Sequence, residues 1–313
     1  MNYTLHQLVV FLKVTKTKSI TKAAVDLHLT QPAVSIQLRN FQDQFEIPLT
    51  EIVGRKLFVT DFGNEIALAA ERIIEEVNLI DFKTSAYKGM LSGRLRVSVV
   101  STGKYVMPYF LSEFINANKG IELEMDVTNK SIVVESLIQN KVDFALVSIL
   151  PKGLNLEHRV LMENKLFLVG NKDHTKNENQ TVEQLFTETP LIFREDGSAT
   201  RTIMENFLKT IGVEPNLKLQ LTSNEAVKQA VIAGLGISIM PLIGLKNELE
   251  NGTLHIIPID GLPITTDWTL VWMKGKVLTP ISKAYLEFID KNKDDLFEKN
   301  FNWIKSTIHP NFH

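Results

Sequence analysis

The chain has 313 residues, 44% of them hydrophobic and 22% charged, which suits soluble globular protein and is long enough for about two domains. It contains no cysteine, which removes disulfides, thiolate nucleophiles, cysteine-ligated zinc and thiol redox switches, and no apolar run reaches the roughly 18 residues of a membrane span. The net charge of −2 is unevenly spread: residues 1–60 carry +3 and the rest −5, so a basic N-terminal module on an acidic body points to an anionic polymer as partner. The first residues lack the basic start and small-residue cleavage site of a secretory signal, so a cytoplasmic location is expected.

Leu5, Leu8, Val9 and Leu12 recur at helical spacing and predict a first helix over about residues 4–17. Ser19 can cap a second, whose apolar face is Ile20, Ala23, Ala24 and Leu27. The stretch LHLTQPAVS then breaks the pattern and restarts it. Thr30 caps a third helix and Pro32 falls in its first turn, where a missing N–H costs nothing, while Val34, Leu38, Phe41 and Phe45 form its buried stripe. Two short helices joined at His28-Leu29 make a helix-turn-helix. The outer face of the third helix offers Gln31, Ser35, Gln37 and Arg39, short or amide side chains suited to base edges and phosphates. These residues alone also fit an ordinary helical hairpin with a solvated face. The β-prone runs Leu49–Val53 and Lys56–Thr60 around Gly54-Arg55 predict a hairpin, which after a helix-turn-helix is a wing whose Arg55 and Lys56 can meet the phosphate backbone.

Thr60 can cap a long helix running to about Lys88, with Ile66, Ala70, Ile73, Val77, Ile80, Thr84 and Tyr87 at alternating spacings of 4 and 3. That is a heptad seam, so the helix is expected to pair with a second copy, although packing against its own chain would produce the same pattern. Beyond Gly89 the texture becomes α/β. Strand-like runs at Leu95–Val100, Ile121–Val127, Val142–Val147, Leu166–Val169, Leu191–Phe193, Leu217–Leu221 and Ile237–Met240 alternate with helical patterns and predict a largely parallel sheet. Neither a dinucleotide-binding GxGxxG nor a GxxxxGK[ST] loop is present.

Taken together, Ala23-Ala24, Thr30-Gln31-Pro32-Ala33-Val34-Ser35, Pro48-Leu49, Gly54-Arg55, Thr60 and Gly63, with the later stretches RLRVSVVSTGKYVMPYF, DVTNK, VDFALVS, REDGSATR and AVIAGLGISIMP, resemble the LysR-type transcriptional regulators over about residues 5–290. The stretches STGKYVMPYF, DVTNK and VDFALVS look most like the regulators of carbon-fixation genes. The resemblance implies an α/β architecture in three parts: a winged helix-turn-helix DNA-binding domain over 1–60, a linker and dimerisation helix over 61–90, and a periplasmic-binding-protein-like effector domain over 91–313. Two lobes make up the last, lobe I about 91–163 with 267–313 and lobe II about 164–266, and the chain crosses between them near Asn164 and Thr266. The resemblance also implies double-stranded DNA as partner, homodimers through Ile66, Ala70, Ile73, Val77 and Ile80 that assemble into homotetramers, and RNA polymerase as a further partner. Some positions depart from the family pattern: Phe41, Gln42 and Glu46 stand where Leu, Glu and Gly are commoner, and Thr50 and Ile52 where Phe and Arg are expected. Losing that arginine removes one phosphate contact from the wing. The segment 291–313 has no family counterpart.

In α/β lobes, ligands bind at the carboxyl ends of strands, where helix N-termini present free N–H groups. Here those turns carry Ser101 and Thr102, Thr128 and Asn129, Ser198, Thr200 and Arg201, and Thr222-Ser223-Asn224, with Ser148 directly after a strand. With Lys104, Lys130 and Arg201 nearby, these hydroxyls and amides would suit a small anionic metabolite as effector, though each turn by itself is also explained by helix capping. The family architecture is what would gather them into one cleft. No metal or other cofactor is expected, because the seven histidines are scattered without metal-ligand spacing, and Ser198 lacks a nucleophile elbow, so the chain does not read as an enzyme. The rival is a solute-binding protein with an appended N-terminal helical domain, which the N-terminal 90 residues argue against.

Overall fold

The computed structural model describes residues 2–54, 56–87, 91–174 and 180–308. The chain divides into two compact units, residues 1–90 and 91–313.

The first unit comprises α1 (Leu5–Thr17), α2 (Ile20–Asp26), α3 (Gln31–Gln42), the strands β1 (Thr50–Val53) and β2 (Lys56–Val59), and α4 (Asp61–Tyr87). Hydroxyls start the first three helices. Thr4 accepts from the Gln7 N–H while the Gln7 side chain accepts from the Thr4 N–H, Ser19 accepts from Lys22, and Thr30 accepts from Ala33. Lys18 and His28, both with positive φ, are the points where the chain leaves α1 and α2. Phe11, Ala23, Val34, Leu38, Phe41 and Leu49 close the core, and the rings of Tyr3, Phe41, Phe45 and Phe62 pack around it with centroids 5.1–6.1 Å apart. The antiparallel pair β1–β2 forms the hairpin of the wing. Thr60 caps α4 by accepting from Gly63 at 2.9 Å, and its own N–H donates to the Leu49 carbonyl. Gly63 is required there, since a Cβ would lie 2.0 Å from that carbonyl oxygen.

The heptad seam of α4 differs along its length. Ala70 is only 1% exposed and, with Ile66 beside it, packs into the core of its own chain, where Lys16 of α1 also pairs with Glu71 at 2.9 Å. Ala70 is thus covered by its own chain, while Ile66 is half-buried there. Further along, Ile73 is exposed, Val77 half-buried and Ile80 63% exposed.

In the second unit come β3 (Ser92–Val100), a 3-10 turn (Ser101–Tyr105), α5 (Met107–Ala117), β4 (Gly120–Thr128), α6 (Lys130–Ile138), β5 (Phe144–Val147), β6 (Leu156–Gly170), α7 (Val182–Glu188) and β7 (Leu191–Arg194). They are followed by α8 (Ala199–Ile211), β8 (Lys218–Leu221), α9 (Asn224–Ile232), β9 (Ser238–Pro241), α10 (Lys246–Glu250), β10 (His255–Ile256), β11 (Ile264–Met273), α11 (Pro280–Phe301) and α12 (Trp303–Ile308). Seven strands share one sheet in the order β10-β6-β11-β5-β3-β4, with β9 also on β6, and β7–β8 form a separate parallel pair. The sheet is mixed rather than largely parallel. Strands β3, β4 and β5 run parallel, but β6 and β11 run antiparallel to each other along almost their whole length, and β11 is antiparallel to β5. Towards one end of that ladder Asn164 faces Thr266, and its Nδ2 donates to the Thr266 hydroxyl at 3.0 Å.

Two apolar cores lie at the two ends of this ladder. One gathers Phe110, Phe114, Phe144, Trp272 and Tyr285 between the sheet and helices α5 and α11. The other gathers Leu166, Leu168, Phe186, Phe193, Phe207 and Ile239 against α7 and α8. Among the described residues no helix is long and apolar enough to cross a membrane.

Gly63→Ala should destabilise the first unit by about 1–3 kcal/mol, the usual cost of overpacking. Urea unfolding of the full chain measures it; an unchanged midpoint would mean that the Leu49 carbonyl gives way freely.

Candidate DNA interface and effector cleft

On α3 the buried stripe of Val34, Leu38 and Phe41 turns Gln31, Pro32, Ser35 and Arg39 outward, all exposed. Gln37 borders the stripe and is half-buried, and the Thr30 hydroxyl is occupied as the cap. Arg39 lies 3.9 Å from Asp43, a loose surface pair that leaves the guanidinium available for phosphate. Lys56 is exposed at the start of β2, and Arg55 lies outside the described residues. Ile36 was not anticipated. It is 57% exposed, one turn beyond Pro32 and one before Asn40, in the middle of the outward face. An apolar residue off the 3-and-4 spacing of the stripe is the signal that would have found it. Its aliphatic surface matches a thymine methyl in the major groove.

The strand-to-helix turns of the second unit do converge. Ser101, Thr102, Asn129, Ser148, Ser198 and Thr200 line one small cavity together with Arg194 and Glu195. Thr102 and Ser148 follow β3 and β5 of the seven-stranded sheet, whereas Ser198 and Thr200 open α8 after β7 of the separate pair, so the two walls hang from different sheets. Thr102, Ser148, Ser198 and Thr200 are buried, yet none of their hydroxyls is hydrogen-bonded to another described residue. None of these four oxygens is itself sealed from solvent, so the hydroxyls lining this space are free to meet water or a polar ligand. Asn129 differs: its Oδ1 accepts from Ile132 at 3.0 Å and serves as a helix cap. Thr128 ends β4 half-buried but does not line the cavity.

Arg201, expected among the contacts, does not reach the cavity. One position beyond Thr200 on α8, it is rotated about 100° to the outside. There it pairs with Glu205 at 2.8 Å and Asp196 at 3.0 Å, and donates to Gln220 and to the Arg194 carbonyl. The guanidinium in the cleft is that of Arg194, 4% exposed. It donates to both carboxylate oxygens of Glu195, at 2.7 and 2.8 Å, and across the cleft to the Ser101 hydroxyl at 3.1 Å. Sequence reading passed over Arg194, although it opens the stretch REDGSATR, because it ends a buried strand rather than standing in the turn that follows. With that bridge in place the cavity measures about 20 Å³, room for one water.

Comparison with known proteins matches residues 5–64 to the bacterial regulatory helix-turn-helix of the LysR family and residues 88–293 to the LysR substrate binding domain. The chain belongs to the LysR family of transcriptional regulators. It is 34% identical over 92% of its length to the transcriptional activator CmpR of Synechocystis, of which 95% is covered. It is 35% identical over 92% of its length to a RuBisCO operon transcriptional regulator of Allochromatium vinosum, of which 96% is covered. Among solved structures, the CcmR regulatory domain of Synechocystis in complex with 2-PG is 32% identical with a TM-score of 0.59, covering 63% of this chain and 96% of that one. This LysR-type regulator thus falls with regulators of carbon-fixation genes and is not an enzyme, and the helix-turn-helix match displaces the solute-binding alternative.

Arg201→Ala should lower the stability of the second unit by about 1–2 kcal/mol through lost charge-assisted hydrogen bonds. Thermal unfolding reads this; a loss of zero would show that these surface contacts are interchangeable with water.

Proposed function

We propose that this regulator reads its operator through α3 and senses a small anionic metabolite between its lobes. Gln31, Ser35 and Ile36 meet base edges, Arg39, Arg55 and Lys56 meet phosphates, and Thr30 and Pro32 set the start of the reading helix. The observation that carries the effector reading is the ring of four hydroxyls without described partners around Arg194, in a chain 32% identical to a regulatory domain bound to 2-PG. Ser101, Thr102, Ser148, Ser198, Thr200 and Arg194 are the contacts, while Thr128 and Asn129 shape the turn behind them. Two copies pair through Ile73, Val77 and Ile80 and assemble further into tetramers. The effector changes how the paired DNA-binding units are spaced, and with that the recruitment of RNA polymerase in the cytoplasm. Linkage requires DNA to alter effector affinity by the same factor that effector alters DNA affinity.

Glu195 occupies Arg194 in the way an anion would. Calorimetry of the full chain with 2-PG should therefore show Arg194→Ala weakening binding about tenfold or more, from the loss of a charge-assisted contact, and Glu195→Gln tightening it. Binding only of a neutral compound, or indifference to Arg194→Ala, would overturn the anion site.

For DNA, Gln31→Ala should cost about 1–3 kcal/mol on the specific duplex while sparing random sequence, whereas Lys56→Ala should weaken both and reduce the salt slope by about one contact. Identical behaviour of the two variants would refute the division of roles. For assembly, Ile73→Asp with Val77→Asp should yield monomers by light scattering, because two unpaired charges would be buried in the pair. A dimer that survived both changes would place the pairing surface elsewhere.

A further inference from the structure

The 3-10 turn that lines the cleft with Ser101 and Thr102 contributes its next residues, Lys104 and Tyr105, to a second and much larger cavity of about 260 Å³. Lys104 and Tyr105 come from one lobe, and Gly244, Lys246 and Asn247 from the other. The lobes meet tightly here: a Cβ on Gly244 would lie 3.0 Å from the Tyr105 ring, and the Tyr105 hydroxyl donates to Glu225 of α9 at 3.3 Å. Asn300, Phe301 and Trp303, from the end of α11 and the start of α12, add a further wall that lies beyond the residues matched by the substrate-binding family description.

The charge of this cavity is out of character with its surroundings. Residues 61–313 carry −5, yet the lining holds Lys104, Lys228 and Lys246 against a single carboxylate, Glu248. Lys228 is neutralised, by Glu248 at 2.8 Å and Glu225 at 3.2 Å. Lys104 has no carboxylate in ion-pair range among the described residues, and Lys246 has only Glu250 at 4.0 Å. These two ammonium groups instead lie over aromatic rings, Lys104 at 5.0 Å from the centroid of Tyr105 and Lys246 at 5.5 Å from that of Trp303. Ring faces steady a cation without cancelling its charge. The result is two positive groups, one from each lobe, facing a space roomy enough for a small molecule.

We propose that this cavity is a second effector site, for a small polyanion of phosphate or dicarboxylate type, clasped by Lys104 and Lys246 with Asn247 as an amide donor. A ligand there ties the two lobes together on the other flank of the turn that holds Ser101 and Thr102. Because one short, closely packed turn serves both cavities, occupancy of either alters the affinity of the other, reciprocally. The C-terminal helices, as part of the wall, make the segment after residue 293 a determinant of this second input.

The test is calorimetry on the full chain with inorganic phosphate and with malonate, the cleft being disabled by Thr102→Val with Arg194→Ala. The cleft-disabled protein should still bind one phosphate or one malonate per chain. Adding Lys104→Ala or Lys246→Ala should then weaken that binding about tenfold, the size expected for a lost charge-assisted contact, and Lys246→Arg should retain it. Phosphate without malonate assigns the phosphate class, and the reverse assigns the dicarboxylates. If the cleft-disabled protein binds neither probe while the unmodified chain binds 2-PG, the second site is refuted and the cleft stands. Binding undiminished by both lysine changes, in proteins that melt normally, also refutes it. Retained lysine-dependent binding in a chain indifferent to 2-PG would uphold the second site and remove the first.

Discussion

The effector domain depends on one antiparallel ladder. Strands β6 and β11 are the longest of its sheet; β6 also sends Leu166 and Leu168 into the core packed against α7 and α8, where β11 adds only Ile264. Asn164 and Thr266 face each other across the two strands, tied by a side-chain hydrogen bond as well as by the ladder. The cleft residues follow β3 and β5 of the large sheet and β7 of the separate pair, and the β6–β11 ladder is the longest element of the sheet between them.

Arg194 ties the two walls of the cleft together. It donates to Ser101 while its remaining donors hold Glu195, so its charge is already satisfied. The hydroxyls around it have no partner among the described residues and remain open to solvent, which distinguishes them from the guanidinium. Arg201 supports the arrangement from behind, holding the Arg194 carbonyl from outside the cleft.

Much of this was legible in the sequence, and the failures have physical causes. Caps and breaks are local, so Thr30, Pro32 and the positive-φ turn at His28 announced the helix-turn-helix directly. Periodicity, in contrast, names a face but not its partner. The heptad spacing of α4 ran unbroken through Ile66 and Ala70, which the chain packs against its own α1 and α3 core. The N-terminal half of β6 was missed because Glu157, His158 and Arg159 interrupt any apolar run, and β11 because its early Thr-Thr-Asp gives no strand pattern; the ladder they form is long-range and invisible to a local window. Six of the eight expected cleft residues line the cavity, since the turn at the end of each parallel strand is fixed by topology. Arg201 failed by one position on a helix, and Arg194 escaped notice because a cation at the end of an apolar strand acquires meaning only from the opposite lobe.

The internal pair between Arg194 and Glu195 also bears on how the two halves of this protein respond to their surroundings. An anion that enters the cleft exchanges one carboxylate for another at the same guanidinium, so the number of ion pairs is conserved. Dissolved salt weakens the pair that is lost and the pair that is gained alike. DNA binding has no such compensation, because each lysine or arginine that meets a phosphate displaces condensed counterions. With an anion bound at the proposed site, sensing and DNA engagement would fall on different ionic-strength scales within one chain, the cleft being the less sensitive of the two.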